Sequence, residues 1–323
     1  MSLKWGIIGT GTIANQMGAT LLSRDGIIYA ITARNTAKLA TFANTYHVEK
    51  QYANLADLLD DDAVDAVYVA TPHNLHYEMI KQALLKGKHV LAEKAITVNG
   101  TQLNELRTLA KQNNLLLLEA MTVLHMPLIK KLKSLIDEGQ LGQIKLINVT
   151  FGSHKPYDVN NRFFNPALAG GALLDIGGYA LTGARYFMSE SPTAVQTFVD
   201  FFETGVDEQS TTILQNTQGE LATINLSMQA KQPKALTVLG TKGYFRIMEF
   251  PRAQEALWFQ TATKTTNVIK VGATADALKY EIDDFEAALQ QPNLATQYNL
   301  ITDDFFKLFD VLRTKWGLKY SFE

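Results

Sequence analysis

One lysine lies where the chemistry of an alcohol or a carbonyl could use it. Lys94 follows Glu93 at the end of the apolar run HVLA in the segment KGKHVLAEKA. Ligands of open α/β sheets bind outside the carboxyl ends of the strands, so we expect both residues beside a bound ligand. A lysine there can donate to a reacting oxygen and stabilise negative charge on it. The alternative, a surface ion pair between Glu93 and Lys94, is disfavoured because adjacent residues of a strand point to opposite faces.

The segment GGALLDIGGY, at residues 170–179, supplies two further side chains. Asp175 and Tyr179 are four residues apart, which places both on one face of a helix. With a lysine they form a set able to transfer a proton and to hold a substrate hydroxyl. Leu174 and Gly178 suit a helix that packs close to another backbone. The alternative is a core helix in which the aspartate caps a neighbour and the tyrosine packs; the segment alone leaves both interpretations open.

A glycine-rich turn follows the first apolar run, with the sequence Gly9-Thr10-Gly11-Thr12-Ile13-Ala14. Gly9 permits a tight turn, Gly11 lets the backbone approach a pyrophosphate, and Ala14 permits close packing of helix on strand. The start of the following helix then presents free N–H groups to the phosphates. The alternative is a turn that binds nothing, but its place between a predicted strand and a predicted helix favours dinucleotide binding.

The end of the second predicted strand indicates which dinucleotide is bound. NAD-selective folds usually place there a carboxylate that accepts hydrogen bonds from the adenosine ribose. This strand ends Ile31-Thr32-Ala33-Arg34-Asn35, without an acidic residue. Arg34 can instead pair with a 2′-phosphate, although a charge at a strand end can also be merely solvated. We therefore predict NADP as the cofactor, with NAD as the alternative.

Short apolar runs alternate with amphipathic segments through the first third of the chain. The runs typical of buried strands are 5–9, 27–32, 64–70, 89–92 and 115–118. The segments with helical periodicity are 13–22, 36–46, 75–86 and 101–112. Asn74 and Asn99 are predicted helix N-caps, and Gly87 a C-cap. This alternation predicts a doubly wound parallel sheet, a Rossmann domain, over residues 1–121.

The pattern changes in residues 122–323, which we assign to a second, α+β domain. A helix is predicted over 128–138, and strands over 145–151, 220–228, 235–239 and 244–248. The tail returns to helix over 276–289 and 298–316, and these helices can pack back on the first domain. A large open, mostly antiparallel sheet is predicted, and its outer face is a candidate surface for a homodimer or homotetramer.

Composition excludes several classes of protein. The 323 residues are 46% hydrophobic and 19% charged, with a net charge of −2, so nothing favours a nucleic-acid or acidic-lipid partner. Cysteine is absent, which excludes disulfides and thiolate chemistry and fits a reducing compartment. No signal peptide and no stretch long enough to span a membrane is apparent, so a cytoplasmic location is expected.

These motifs together resemble the Gfo/Idh/MocA family, named for glucose–fructose oxidoreductase, inositol dehydrogenase and rhizopine catabolism. The resemblance covers nearly the whole chain and is carried by IIGTGTIA, TPH at 71–73, GKHVLAEKA, LLLLEAM, EGQLGQI and GGALLDIGGY. Because GGALLDIGGY ends in tyrosine, and because of LLLLEAM, the chain is most similar to the dimeric dihydrodiol dehydrogenase and D-xylose dehydrogenase branch. That branch prefers NADP.

The resemblance also implies roles for individual residues. Lys94 corresponds to the catalytic lysine, Tyr179 to the acid/base, and Asp175 to a substrate-binding or orienting carboxylate. Thr71, His73 and His76 fall where the family lines the nicotinamide ribose.

One departure concerns the residue after the lysine. The family usually has Glu-Lys-Pro, whereas this chain has Glu93-Lys94-Ala95. Proline fixes its own φ and restricts the residue before it, so alanine removes two constraints on the lysine backbone.

Two further groups of side chains could bind ligands. Arg162 could hold an anionic group of the substrate, although a surface arginine is the commoner outcome. His73 and His76, three residues apart, could chelate a metal, but no third ligand accompanies them in the sequence, so no metal site is predicted.

The sequence thus predicts an enzyme that transfers a hydride between NADP(H) and a secondary alcohol or carbonyl of a sugar, polyol or diol. The alternative is a regulator of the same fold that binds the dinucleotide without performing chemistry.

Overall fold

The protein divides into two compact units, each with its own sheet. The computed structural model describes residues 3–24, 26–320 and 322. One unit comprises Met1–Ala120 with Glu281–Asn299, and the other Met121–Tyr280 with Leu300–Glu323. The sequence-based boundary after residue 121 did not separate 281–299 from the rest of the C-terminal half.

The first unit contains a six-stranded sheet in which every pair of neighbouring strands is parallel. The strands are β1 (Lys4–Ile8), β2 (Ile27–Thr32), β3 (Lys50–Tyr52), β4 (Ala66–Val69), β5 (His89–Glu93) and β6 (Leu117–Ala120). Their order is β3-β2-β1-β4-β5-β6, with all register pairs parallel. This is the predicted doubly wound Rossmann sheet, and its order reverses between β1 and β4, where such folds bind ligands.

Five helices connect these strands. They are α1 (Thr12–Ser23), α2 (Thr36–Thr45), α3 (Leu55–Leu59), α4 (His73–Leu85) and α5 (Gly100–Gln112). Asn35, Asn54 and Asn99 accept hydrogen bonds from backbone N–H groups in the first turns of α2, α3 and α5, so Asn99 caps as predicted. The prediction for Asn74 was wrong, because α4 begins at His73, with Pro72 as its N-cap residue. The short β3 and α3 were not predicted, because neither is long enough to show a periodic pattern.

The turn from β1 into α1 depends on one glycine. Gly9 has φ +112°, and a Cβ there would lie 2.5 Å from the carbonyl oxygen of Ala70. Gly11 differs, since it has an ordinary φ of −71° and a Cβ on it would meet nothing within 4 Å. Ala14 is fully buried against the sheet. Gly9 is therefore required by the fold itself, whereas Gly11 is not.

The second unit contains an eight-stranded sheet, mostly antiparallel as predicted. The strands are β7 (Ile144–Gly152), β8 (Ala194–Phe201), β9 (Asp207–Gln215), β10 (Leu221–Ser227), β11 (Gln232–Gly240), β12 (Gly243–Met248), β13 (Glu255–Gln260) and β14 (Thr265–Lys270). The order is β14-β13-β12-β11-β7-β10-β9-β8, and only β7 and β10 pair in parallel. The strands β8, β9, β13 and β14 were not predicted. One of them, β8, lies at an edge of the sheet and has no buried residue, and its sequence AVQTFVDF does not alternate regularly between apolar and polar residues.

The second unit also contains helices, of which the one at Gly178–Phe187 packs on β7, β10 and β11. They are α6 (Thr122–His125), α7 (Pro127–Asp137) and α8 (Gly178–Phe187), followed by α9 (Ala277–Gln290) and α10 (Pro292–Trp316), which are shared between the two units. None of the helices in the described part of the chain has the length and apolar composition that crossing a membrane requires.

A π-helical turn precedes α8 and replaces the regular helix that the sequence predicted. It covers Leu173–Gly177, and π-turns inside helices often occur at functional sites. Gly178 does not approach another backbone, since a Cβ there would meet only side chains, the nearest at 3.6 Å. The expectation of close packing at Gly178 was therefore wrong. The tight contact is at Gly183, where a Cβ would lie 2.8 Å from the side chain of Leu236.

The contrast between Gly9 and Gly11 gives a test of the fold. We expect Gly9→Ala to lower the free energy of unfolding by about 1–3 kcal/mol, because the new Cβ meets a backbone oxygen at a positive φ. Gly11→Ala should change it by less than about 1 kcal/mol, since only an N-cap preference is lost. Urea unfolding of both variants measures this difference. A Gly9→Ala protein as stable as the Gly11→Ala protein would contradict the role assigned to the turn.

Candidate active site

A cleft of about 490 Å³ opens at the carboxyl edge of the parallel sheet, at the point where the strand order reverses. Its floor is the turn after β1, and its sides are the end of β2 with the start of α2, the segment before α3, and the end of β4. Gly9, Thr10 and Gly11 line it on one side, and Thr71 on another. Thr12 and Ile13 begin α1 next to this turn.

The start of α1 is suited to phosphate. Among the described residues, no side chain caps this helix, and its first turn contains no acidic residue. The first N–H groups of the helix therefore keep their hydrogen-bonding capacity and their partial positive charge. The open space at Gly11 lets an anion approach the backbone. The uncapped start of α1 and the open space at Gly11 fit the binding of a dinucleotide pyrophosphate. Neither feature is required for the protein to pack.

Two cationic side chains lie where β2 and α2 border this cleft. Arg34 follows β2, and Lys38 lies one turn further, in α2; both are exposed and both line the cleft. Asn35, between them, caps α2 by accepting a hydrogen bond from the backbone N–H of Lys38 at 2.9 Å. Lys38 was not predicted, although its spacing of four residues from Arg34 could have indicated it. Asn54 and Met79 were not predicted either, because they come from segments distant in sequence.

Lys94 lies directly beyond β5, at the same edge of the sheet, as the sequence predicted. Glu93 ends the strand, and its carboxylate accepts a hydrogen bond from the hydroxyl group of Tyr68 on the neighbouring β4. Glu93 thus has a partner on the sheet. The peptide bond between Lys94 and Ala95 is cis.

The backbone around Lys94 is held by three buried side chains. The Nε2–H of His73 donates to the carbonyl oxygen of Lys94 at 3.0 Å. His76 is fully buried, with Nδ1 2.9 Å from the carbonyl oxygen of Ala95 and Nε2 2.7 Å from that of Thr71. On the other side, the backbone N–H of Ile96 donates to Oε1 of Glu119 at 3.0 Å. These contacts provide constraints on the lysine segment that the sequence analysis had expected to be lost with the proline.

The position of His76 corrects the expectation that it lines the nicotinamide ribose. Its side chain has no exposed surface, and both ring nitrogens lie against backbone carbonyl oxygens, so no group remains for a cofactor. Burial lowers the pKa of His76, against the two carbonyl oxygens, which raise it. A neutral imidazole has one N–H, and His76 therefore donates to one of these two carbonyls. The residue holds the backbone on which Lys94 lies.

The two histidines also do not form a metal site. Their rings are 5.7 Å apart, but their nitrogens point to backbone carbonyl oxygens. Across the part of the chain that the structure describes, no three His, Asp or Glu side chains are grouped as metal ligands would be.

In the second unit, the π-turn carries Asp175, and Tyr179 lies in the first turn of α8. The two residues are four positions apart, on either side of the junction between the π-turn and α8. Tyr179 is half-buried, with its ring 6.2 Å from that of Phe151 on β7. The side chain of Asp175 is 13% exposed.

Two cations approach the carboxylate of Asp175. Nη2 of Arg162 lies 3.7 Å from Oδ1, and Nζ of Lys155 lies 4.0 Å from Oδ2. The ring of Phe163 contacts both cations, with Lys155 Nζ 3.7 Å and Arg162 Cζ 4.1 Å from its centroid. Arg162 is thus close to Asp175, where the sequence analysis had placed it only near the substrate. Lys155 was not predicted, because it comes from a loop with no recognisable pattern.

Comparison with known proteins agrees with this geometry. The profile of the GFO_IDH_MocA oxidoreductase family, with its NAD-binding Rossmann fold, matches residues 3–121, and that of the GFO/IDH/MocA C-terminal domain matches residues 129–246. The trans-1,2-dihydrobenzene-1,2-diol dehydrogenase of Xenopus laevis is 33% identical over 254 residues, which are 77% of this chain and 76% of that protein. The human protein of the same name is 30% identical over 255 residues, 77% and 75% of the two chains.

Solved structures share the fold over almost the whole chain. A 3-ketoreductase from Actinomadura kijaniata, in complex with NADP and TDP-benzene, covers 97% of this chain and 98% of its own, with a TM-score of 0.85 and 24% identity. A levoglucosan dehydrogenase, in complex with NADH and levoglucosan, covers 96% and 98%, with a TM-score of 0.83 and 20% identity. The family predicted from the motifs is confirmed: the chain belongs to the GFO/IDH/MocA family of oxidoreductases and is an enzyme with an NAD(P)-binding Rossmann domain.

Proposed function

We propose that this enzyme catalyses reversible hydride transfer between NADP(H) and a secondary alcohol or carbonyl carbon of a sugar, polyol or diol. The observation that carries the proposal is the position of Lys94, held by buried side chains at the sheet edge next to a dinucleotide-sized cleft. The printed names of the relatives, diol dehydrogenases, a ketoreductase and a sugar dehydrogenase, support a hydroxyl-bearing substrate.

The cofactor site favours NADP over NAD. Arg34 and Lys38 offer two positive charges at the end of the cleft where a 2′-phosphate would lie, and β2 is not followed by a carboxylate that would favour the ribose diol of NAD. Arginine suits such a phosphate because its planar fork can make two hydrogen bonds at once. NAD remains the alternative.

The proposed roles of the protein groups follow their chemistry. The bound nicotinamide supplies the hydride acceptor or donor at its C4 atom. When the alcohol is oxidised, its C–H bond breaks as the hydride passes to the cofactor, and the hydroxyl proton passes to the phenolate oxygen of Tyr179 as the carbonyl forms. Lys94 donates a hydrogen bond to the reacting oxygen and stabilises its negative charge. In reduction, Tyr179 returns the proton.

Asp175 and Arg162 complete the proposed substrate site. The Asp175 carboxylate accepts a hydrogen bond from a hydroxyl group next to the reacting carbon. Arg162 lies 3.7 Å from this carboxylate and is 48% exposed, so its remaining donors can bind a further oxygen of the substrate.

We further propose that the outer face of the eight-stranded sheet joins copies of this chain into a homodimer or homotetramer. The face carries exposed apolar side chains on β7, β9, β13 and β14. They include Leu146 (41% exposed), Ile213 (43%), Leu257 (39%) and Val268 (56%). Tyr244 and Phe259 stack on the same face, with centroids 5.2 Å apart. An apolar sheet face of this extent is suited to burial against a second copy.

The cofactor proposal predicts a selective loss of affinity. Arg34→Ala should weaken NADPH binding about 10–100-fold, because a hydrogen bond to a charged group contributes about 1.5–3 kcal/mol, and NADH binding should change less than about 2-fold. Fluorescence titration of both cofactors measures this. Lys86→Ala is the matched control, since Lys86 is exposed and pairs with Asp60 away from the cleft. Equal losses for NADH and NADPH would contradict a 2′-phosphate site at Arg34.

The catalytic proposal predicts a loss of turnover without loss of cofactor. Lys94→Met and Tyr179→Phe should each lower kcat about 10²–10⁴-fold on whichever polyol, aldose or diol reduces NADP, with NADPH affinity nearly unchanged. The double variant should lose little more than the worse single one, because residues acting on one transition state are not additive. Lys111→Met, on an exposed position of α5, is the control.

Two results would overturn this proposal. Unchanged turnover in Lys94→Met would eliminate the lysine from the chemistry. A protein that binds NADPH tightly but turns over no alcohol, sugar or diol would instead support the regulator hypothesis.

The assembly proposal is tested by light scattering coupled to size-exclusion chromatography. The unaltered chain should elute with the mass of a dimer or tetramer, and Leu257→Glu should shift it to a smaller species, because the new charge would be buried at the interface. Leu85→Glu, at a residue that is 62% exposed on α4, should leave the mass unchanged. A monomeric unaltered chain would refute the proposal.

A further inference from the structure

We propose that Asp207 is a positioning residue for this reaction, because its buried carboxylate caps the helical segment that carries Asp175 and Tyr179. The inference rests on the proposed function, since it concerns the residues assigned there to substrate and proton. It assigns a role to a buried acidic group that the mechanism itself does not use.

The carboxylate of Asp207 lies at the start of the π-turn. Asp207 begins β9, is fully buried, and accepts a hydrogen bond at Oδ2 from the backbone N–H of Leu173 at 2.6 Å. The backbone N–H of Ala172 also lowers the pKa of this carboxyl group. The first N–H groups of a helix have no partner within it, and the methyl side chain of Ala172, at the N-cap position, cannot accept a hydrogen bond from them. A residue 34 positions further along the chain therefore does what a local N-cap would do.

The glycine pair before this segment makes the contact possible. Gly171 has φ +117°, and a Cβ on it would lie 2.1 Å from Oδ1 of Asp207. A Cβ on Gly170 would lie 2.8 Å from the carbonyl oxygen of Phe163. Any larger residue at either position would push the chain away from the carboxylate. The contact between Asp207 and the π-turn thus depends on both glycines.

The C-terminal part of the chain braces the same turn. The hydroxyl group of Tyr320 donates to the carbonyl oxygen of Gly170 at 3.0 Å. The guanidinium of Arg313, a buried residue of α10, lies 4.6 Å from the centroid of the Tyr320 ring. The positive charge of Arg313 also acts on Asp207 and favours its ionised form. The entry to the segment is therefore fixed from both β9 and the C-terminal tail.

The protonation state of Asp207 gives this contact a pH dependence. Burial raises the pKa of Asp207 to about 6, against the backbone N–H groups of Leu173 and Ala172 and the charge of Arg313, which lower it. Arg313 from α10 is the charged group that acts on Asp207, whereas Glu208, the next residue on β9, has its own pKa raised by burial and by the charge of Asp200. Above pH 6 the carboxylate is ionised and accepts strongly; below it the group protonates, and the cap weakens.

The raised pKa of Asp207 also determines whether its ionisation stabilises or destabilises the folded protein. The raised pKa means that ionisation of Asp207 opposes folding, so its stabilising contribution is present at acid pH and is lost as the pH rises through about 6. Removing the charge should therefore not destabilise the protein at pH 8. A substitution that removes the charge of Asp207 is therefore expected to lower kcat without lowering the stability of the protein. Substitution of a residue with only a structural role would not separate these two effects.

The first test compares two variants in the full-length enzyme. Asp207→Asn keeps an acceptor oxygen but no charge; we expect kcat at pH 8 to fall about 10-fold, Tm not to fall, and the acid limb of kcat near pH 6 to disappear. Asp207→Ala leaves the Leu173 N–H without a partner and should lower kcat about 100-fold. Glu208→Gln is the matched control in the next position and should keep both kcat and the acid limb. An Asp207→Asn enzyme with unchanged kcat and an unchanged acid limb would refute the proposal.

The second test needs no substrate, so it separates this inference from the proposed function. Hydrogen–deuterium exchange of a peptide covering residues 170–179 should be at least 10-fold faster in Asp207→Ala than in the unaltered protein. Unchanged exchange in Asp207→Ala would overturn the cap, whatever the activity. Altered exchange in a protein without turnover would leave the cap in place and contradict the proposed reaction alone.

Discussion

The backbone N–H groups at the start of a helix have no partner within the helix, and this constraint organises both units of the protein. In the first unit, asparagine side chains cap α2, α3 and α5, whereas α1 is left without a side-chain cap at the cleft. In the second unit, the π-turn that carries Asp175 takes its cap from a carboxylate on a distant strand. The N–H groups at the start of α1 can therefore donate hydrogen bonds to an anionic ligand, whereas the start of the π-turn is capped by the carboxylate of Asp207. The first is suited to binding a ligand, and the second holds the segment that carries Asp175.

The complementary constraint concerns carbonyl groups, and it fixes the lysine. The chain leaves β5 with carbonyl oxygens that no strand pairs, and His73 and His76 lie against those of Lys94 and Ala95. Buried carbonyl groups without a partner are costly, so side chains from α4 stabilise this short segment. The consequence is a lysine whose backbone is held in place directly beyond the end of β5. Alanine in place of the family's proline is compatible with this arrangement because the histidines supply the constraint.

The sequence alone determined the features whose causes are local. The turn after β1, the cap at Asn99 and the strand that ends before Lys94 each follow from a few adjacent residues, and all were predicted. The alternation of apolar and amphipathic segments determined the parallel sheet, because strands buried on both faces must be apolar throughout. The family followed from motifs that combine such local signals.

Only the tertiary structure decided the features that depend on partners far apart in the chain. His76 looked like a ligand of the cofactor, yet its nitrogens are occupied by carbonyl groups 5 and 19 residues away. Asp207 carries no local motif, and its role depends on Leu173, 34 residues earlier. The sequence shows which side chain is present at each position, but the burial of that side chain and its hydrogen-bond partners are determined only when distant segments pack together. That is why the sequence could predict candidate reacting groups, and only the fold showed which contacts hold the backbone around them.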